Sequence, residues 1–163
     1  MPAPHAVENH VFNHVAVSVP NVDEAAAWYE KIFGFRRIRS DRTTDRGEAP
    51  EAPIFKIYDQ KLQKVKCAWL ACGNGVGFEI FEFIDPPFKQ PENFDYTRGG
   101  FFHIGVTVAD PEDVAKRATE MGGKLIGEPV GMYEEKALYV QDPWGNIVEL
   151  LSCSFEKLMG NRG

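Results

Sequence analysis

An internal repeat constrains this chain more than any other feature. At an offset of 89 residues it lays His14 onto His103, and with them Val17 onto Val106, Ser18 onto Thr107, Val19 onto Val108 and Gly34 onto Gly123. Phe12 to Val19 and Phe101 to Val108 are rich in β-branched residues and read as strands. After the first, Asn21 or Asp23 can cap a helix whose apolar stripe is Ala25, Ala26, Trp28, Tyr29, Ile32 and Phe33, stopped by Gly34. After the second, Asp110-Pro111-Glu112 supplies a cap, a first-turn proline and an acidic first turn. That helix runs through Val114, Ala115 and Ala118 to Met121 and Gly122-Gly123.

The halves also end alike. Val76 to Phe81 and Asn146 to Leu151 are short strands with one Glu among apolar neighbours, preceded by strands at Val65 to Ala71 and Lys136 to Gln141. Asp142 to Asn146 is the turn that makes the second pair a hairpin. Each half is therefore strand–helix–strand–strand–strand, and the chain is predicted to be α+β. It comprises two tandem βαβββ modules, 11–84 and 101–153, joined by a linker at 85–100. The His-to-Glu separation is 65 residues in the first half and 46 in the second. The surplus of 19 falls between Ser40 and Lys64, a polar stretch expected to be a long loop with a helical turn near Ile57 to Leu62. Residues 1–9 and 155–163 are expected to be loosely held tails.

The repeat singles out four side chains. Glu79 and Glu149 are charges in apolar strands, where an unpaired buried carboxylate is costly. His14 and His103 open the two halves at equivalent positions, and His10 has no counterpart. If the halves pack side by side, His14, Glu79, His103 and Glu149 form a His2Glu2 set suited to one divalent cation: Zn, Ni, Co, Mn or Fe. Two carboxylates neutralise the dication, and an octahedral ion keeps two positions for water or substrate.

Strand alternation extends this to a pocket. If His14 faces inward, so do Phe12, Ala16 and Ser18; Glu79 takes Phe81 and Phe83 with it. His103 takes Phe101, Gly105 and Thr107, and Glu149 takes Ile147 and Leu151. The candidate substrate contacts are Phe12, Ser18, Phe81, Phe101 and Thr107, an apolar lining with sparse hydroxyls that suits an apolar or aromatic oxygenated molecule. Arg98, with Tyr96, Met132 and Tyr133, lies on loops at the mouth, and Arg98 is placed to hold a substrate carboxylate.

Charge and cysteine content exclude other classes. With 18 Lys and Arg against 24 Asp and Glu the net charge is −6, which argues against nucleic acid and anionic membrane surfaces. The longest apolar run, Cys67 to Cys72, is six residues, far short of a bilayer span of ~20. The N-terminal residues lack the basic and apolar regions of a signal peptide, and Cys67, Cys72 and Cys153 fit no disulfide framework, so the chain is expected to be cytoplasmic. Open sheet edges on each half predict a homodimer, with sites within one chain or shared between two.

The segments Asn13 to Val17, Trp28 to Phe35, Phe78 to Phe81, Phe102 to Val106 and Asp142 to Leu150 resemble the vicinal oxygen chelate superfamily across residues 11–153. That superfamily includes glyoxalase I, methylmalonyl-CoA epimerase, extradiol dioxygenases and the fosfomycin and bleomycin resistance proteins. The resemblance implies a U-shaped, barrel-like mixed sheet cupping a metal. His14, Glu79, His103 and Glu149 stand at the ligand positions of the glyoxalase I branch. Methylmalonyl-CoA epimerases carry Gln at the position of Glu79, and dioxygenases use two His and one Glu. The basic residue and the Asn that hold glutathione in glyoxalase I are here Ser18 and Phe83, so neither contact carries over. The implied activity is metal-dependent proton transfer beside a carbonyl, by a glyoxalase I-like lyase or an epimerase, with Glu149 as base and Glu79 as its counterpart. An extradiol-type dioxygenase and a small-molecule-binding resistance protein are the alternatives.

Overall fold

The computed structural model describes residues 10–132 and 134–160. Strand β1 (His14–Ser18) leads into helix α1 (Val22–Phe33). Of the two candidate caps Asn21 is the one used: its side chain accepts from the backbone N–H groups of Asp23 and Glu24. Gly34 ends the helix in the left-handed region at φ 67°, a conformation that costs other residues about 1–2 kcal/mol. Short strands β2 (Arg36–Arg37) and β3 (Arg42–Asp45), helix α2 (Pro53–Ile57), and long strands β4 (Lys64–Ala71) and β5 (Gly77–Asp85) complete the first module.

The second module repeats the plan without the additions. Strand β6 (Ile104–Thr107) is followed by α3 (Pro111–Glu120), capped by Asp110, and then by β7 (Lys124–Met132), β8 (Glu135–Gln141) and β9 (Ile147–Leu151). The sheets are ordered β1-β5-β4-β2, with β3 also on β4, and β6-β9-β8-β7. In each, the first strand is parallel to the last of its module and the remaining pairs are antiparallel. The sheets are curved and mixed, and they do not close into a barrel.

Two expectations need correction. The stretch between Ser40 and Lys64 is structured, with β3 on the sheet edge and the helical turn at Pro53–Ile57, earlier than expected. It is ordered because Phe55 and Leu62 are buried with Val65 and Cys67 of β4. Residues 155–160 form helix α4 (Phe155–Gly160), whose Leu158 packs on Ala137, Leu151 and Cys153.

One core unites the modules. Val15, Val17, Phe78 and Ile80 of the first sheet and Leu138, Val140, Val148 and Leu150 of the second pack with α1 and α3. Side chains of each module bond to the other. Trp28 Nε1 donates to the Met121 carbonyl at 3.1 Å, and Arg117 donates to the Lys31 and Ile32 carbonyls at the end of α1.

The Tyr29 hydroxyl donates to buried Asp142 at 2.8 Å; Asp142 also accepts from the Trp144 N–H, the Asn146 N–H and the Asn146 amide, so it organises the turn. Burial holds the Asp142 carboxyl above the usual range against these donors. Tyr29→Phe removes one donor to the ionised form and is expected to cost about 1–2 kcal/mol at neutral pH. Its loss raises the folded-state pKa further. The deficit should therefore be full where Asp142 is ionised in both proteins and shrink as pH falls through the folded values. Urea unfolding at pH 7 and pH 4 measures this; an equal deficit at both would refute it.

Candidate functional site

The residues that do not face the core carry the site. On the first sheet β1 and β5 run parallel with His14 opposite Gly77 and Ala16 opposite Glu79. A Cβ at Gly77 would come within 3.0 Å of the His14 Cβ, so glycine clears space for the imidazole. His14 Nε2 stands 3.5 Å from Glu79 Oε2. On the second sheet Gly105 lies opposite Glu149, and His103 Nε2 stands 3.4 Å from Glu149 Oε2. The repeat thus pairs the four residues as His14–Glu79 and His103–Glu149.

The two pairs do not merge. Among the described residues, no three His, Cys, Asp or Glu side chains come together as a metal site. The four residues expected from side-by-side packing to form one set stand in this chain as two separate pairs.

Each half fits a metal by its spacing. Two donor atoms about 2.1 Å from a common ion lie about 3.0 Å apart at the 90° of an octahedral ion and about 3.4 Å apart at a tetrahedral 110°. The His–Glu separations lie within about half an ångström of the octahedral figure and exceed an ordinary hydrogen bond. The imidazole of His14 is also correctly oriented. Its Nδ1 is 2.7 Å from Asn13 Oδ1, an acceptor, so the proton sits on Nδ1 and the Nε2 lone pair is available.

Antiparallel pairing brings in side chains that the sequence did not single out. Trp69 of β4 lies directly opposite Glu79, and its Nε1 donates to Glu79 Oε1 at 2.9 Å. The Arg39 guanidinium sits 4.4 Å from the Trp69 ring centroid. Tyr139 of β8 holds the equivalent position opposite Glu149, its ring edge-on to His103 at 5.3 Å. Burial, and then the Glu149 carboxylate, push the Tyr139 hydroxyl up to about 12. His103 Nδ1 is buried and has no hydrogen-bond partner among the described residues. The register of the two terminal hairpins was the signal that would have found Trp69 and Tyr139.

The expected substrate contacts divide. Phe81 and Phe83 stack at 5.8 Å beside Glu79, and α2 brings Phe55 onto the same face. Ser18 and Phe83 line a cavity of about 580 Å³ with Lys61, Lys89 and Trp144. Arg98 and His103 border another, of about 720 Å³, between residues 91–102 and the β1 and β9 strands; neither Glu79 nor Glu149 lines it. Phe12 and Phe101 precede their strands, so alternation does not orient them, and both are largely exposed. Thr107 commits its hydroxyl to the Cys153 carbonyl at 3.2 Å, and Leu151 packs under α4 rather than lining a cup. Tyr133 lies outside the described residues. Cys67 shares the Glu79 face, but burial and the nearby carboxylate push its thiol up to about 12, which leaves it an apolar packing group. No described helix is long and apolar enough to cross a membrane.

Comparison with known proteins agrees with this architecture. A 2-epi-5-epi-valiolone epimerase from an Actinomyces species is 26% identical over 157 residues, covering 91% of this chain and 81% of that protein. A glyoxalase family protein from Bacillus cereus superposes with a TM-score of 0.71 at 20% identity, covering 91% of this chain and 97% of that one. A fosfomycin resistance protein variant from Listeria monocytogenes, crystallised with Mn(II) and 1S,2S-dihydroxypropylphosphonic acid, superposes with a TM-score of 0.60 at 14% identity, covering 92% and 98%. The family model described as the Glyoxalase/Bleomycin resistance protein/Dioxygenase superfamily matches residues 11–150, and the chain belongs to that superfamily.

Proposed function

We propose that this chain is a divalent-metal-dependent enzyme that moves a proton at the carbon beside a carbonyl, as an epimerase or isomerase or as a glyoxalase I-like lyase. The observation that carries the reading is the pair of matched His–Glu couples, each with metal-ligand spacing, on equivalent strands of the repeat. The epimerase relative and the Mn(II) on the Listeria protein support it.

His14 and Glu79 would hold the ion from one side, and His103 and Glu149 from the other. When bound, the divalent ion supplies Lewis-acid stabilisation of the negative charge on the substrate oxygen. Glu149 takes the proton from the neighbouring carbon as general base, and Glu79, at the mirrored position, delivers a proton that it has taken from solvent to the opposite face. The imidazoles would serve as ligands and take no part in proton transfer. Phe81 and Phe83 exclude water from the reacting carbon.

Because the couples are separate within one chain, we infer that a second copy completes the site. Val11, Phe12, Phe101 and Phe102 leave apolar surface exposed at the entrances to β1 and β6, as an isologous contact requires. Light scattering should report a dimer at micromolar concentration; a monomer would refute the shared site.

Metal analysis tests the centre directly. The parent chain is expected to bind one divalent ion per chain, and Glu79→Ala or His103→Ala to reduce this sharply; unchanged stoichiometry in either variant would sink the assignment. Hemithioacetals, 2-substituted acyl-CoA esters and keto-cyclitols form the substrate screen. Redox-active iron with oxygen uptake on catechols would transfer the reading to ring cleavage.

A further inference from the structure

The two His–Glu couples are equivalent in position but not in support. In the first, both ligands are held from behind: Asn13 fixes the His14 proton on Nδ1, and Trp69 binds Glu79 Oε1 and leaves Oε2 facing His14. Trp69 is itself fixed, packed on the Phe55, Leu62, Val65 and Cys67 cluster and covered by Arg39. In the second couple the counterpart of Asn13 is Phe102, which offers no acceptor, and His103 Nδ1 has no partner among the described residues. The counterpart of Trp69 is Tyr139, so an N–H that only donates is replaced by a hydroxyl that donates and accepts.

We propose that Asn13 and Trp69 are positioning residues that make His14–Glu79 the fixed, metal-anchoring half, leaving His103–Glu149, opposite Tyr139, as the half that adjusts during the reaction. This rests on the metal-dependent reading above and deepens it. Outer partners of metal ligands hold ring tautomer and carboxylate orientation before the ion arrives, so their loss is felt in affinity. An indole has no proton to exchange with a carboxylate at ordinary pH, so the bond to Trp69 orients Glu79 through Oε1 without competing for the proton that Glu79 delivers. Glu149 instead faces the Tyr139 hydroxyl, a donor that can also accept and can turn about its C–O bond. A carboxylate that acts as the base would need that freedom to reach a substrate proton.

The test is titration with Co(II) alone, followed through the metal's visible absorption, on the folded chain. Trp69→Phe, which keeps the ring and removes the donor, is expected to weaken Co(II) binding by on the order of 10–100-fold. Asn13→Ala, at the exposed start of β1 where no core is disturbed, should weaken it in the same direction. Tyr139→Phe should change the affinity far less than either. In a Glu79→Ala background Trp69→Phe should add no further loss, because its effect passes through that carboxylate. Parent-like affinity in both Trp69→Phe and Asn13→Ala would overturn the proposal, as would an equal Trp69→Phe loss with and without Glu79. A parent chain that binds no Co(II) would overturn the metal reading itself, so the two failures are distinguishable.

Discussion

Two variants, each unable to bind metal alone, are expected to restore binding when combined. One carries His14→Ala with Glu79→Ala, the other His103→Ala with Glu149→Ala. If the site is shared across a twofold dimer, each homodimer has two half-destroyed sites. A mixed dimer pairs the intact first module of one chain with the intact second module of the other, and so has one complete site and one empty. Random reassortment makes about half of the dimers mixed, so equimolar refolding should recover about a quarter of the parent's sites. Bound Co(II) per chain reads the result without a substrate. A site contained in one chain predicts no recovery, and that outcome would remove the intersubunit centre.

The second large effect is expected at Glu149. Glu149→Gln keeps an oxygen that can face the ion and abolishes the base. The variant should hold much of its metal while its rate falls 10²–10⁴-fold, the usual span for loss of a general base. Turnover of the substrate identified by the screen gives the magnitude. Deuterium incorporation from D2O at the carbon beside the carbonyl shows whether the lost step is proton transfer. Parent-like turnover in the metal-replete variant would end the base assignment. A matched loss in rate and bound metal would assign Glu149 to ligation alone.

The repeat made the module plan legible because its marks are local. Asn21 and Asp110 cap helices, Gly34 ends one, and Asp142 with Asn146 closes a hairpin, each within a few residues of its effect. The four candidate ligands were legible for a different reason: a charge at the same place in two apolar strands stands out without knowledge of the partner strand. Tertiary pairing hid the rest. The segment 40–64 reads as loop because its polar composition conceals the two residues, Phe55 and Leu62, that anchor it on β4. Trp69 carries no mark of its own in the sequence, because only register shows that it faces Glu79. Phe12 and Phe101 were drawn inward by an alternation that stops where the strands begin. The separation of the two couples lay beyond reach, since nothing within a module states how its neighbour is turned.

The segment carrying β3 and α2 is attached to one module only. Two equal halves around one ion would accept an elongated guest in either of two end-for-end orientations, and would present the two faces of its reacting carbon indifferently. A wall containing Phe55 on a single side abolishes that equivalence. A guest held between the halves would meet different surroundings at its two ends, and its prochiral or stereogenic centre would face Glu79 and Glu149 from defined sides. Handedness in the product would thus originate in a stretch of chain that contributes none of the four candidate ligands.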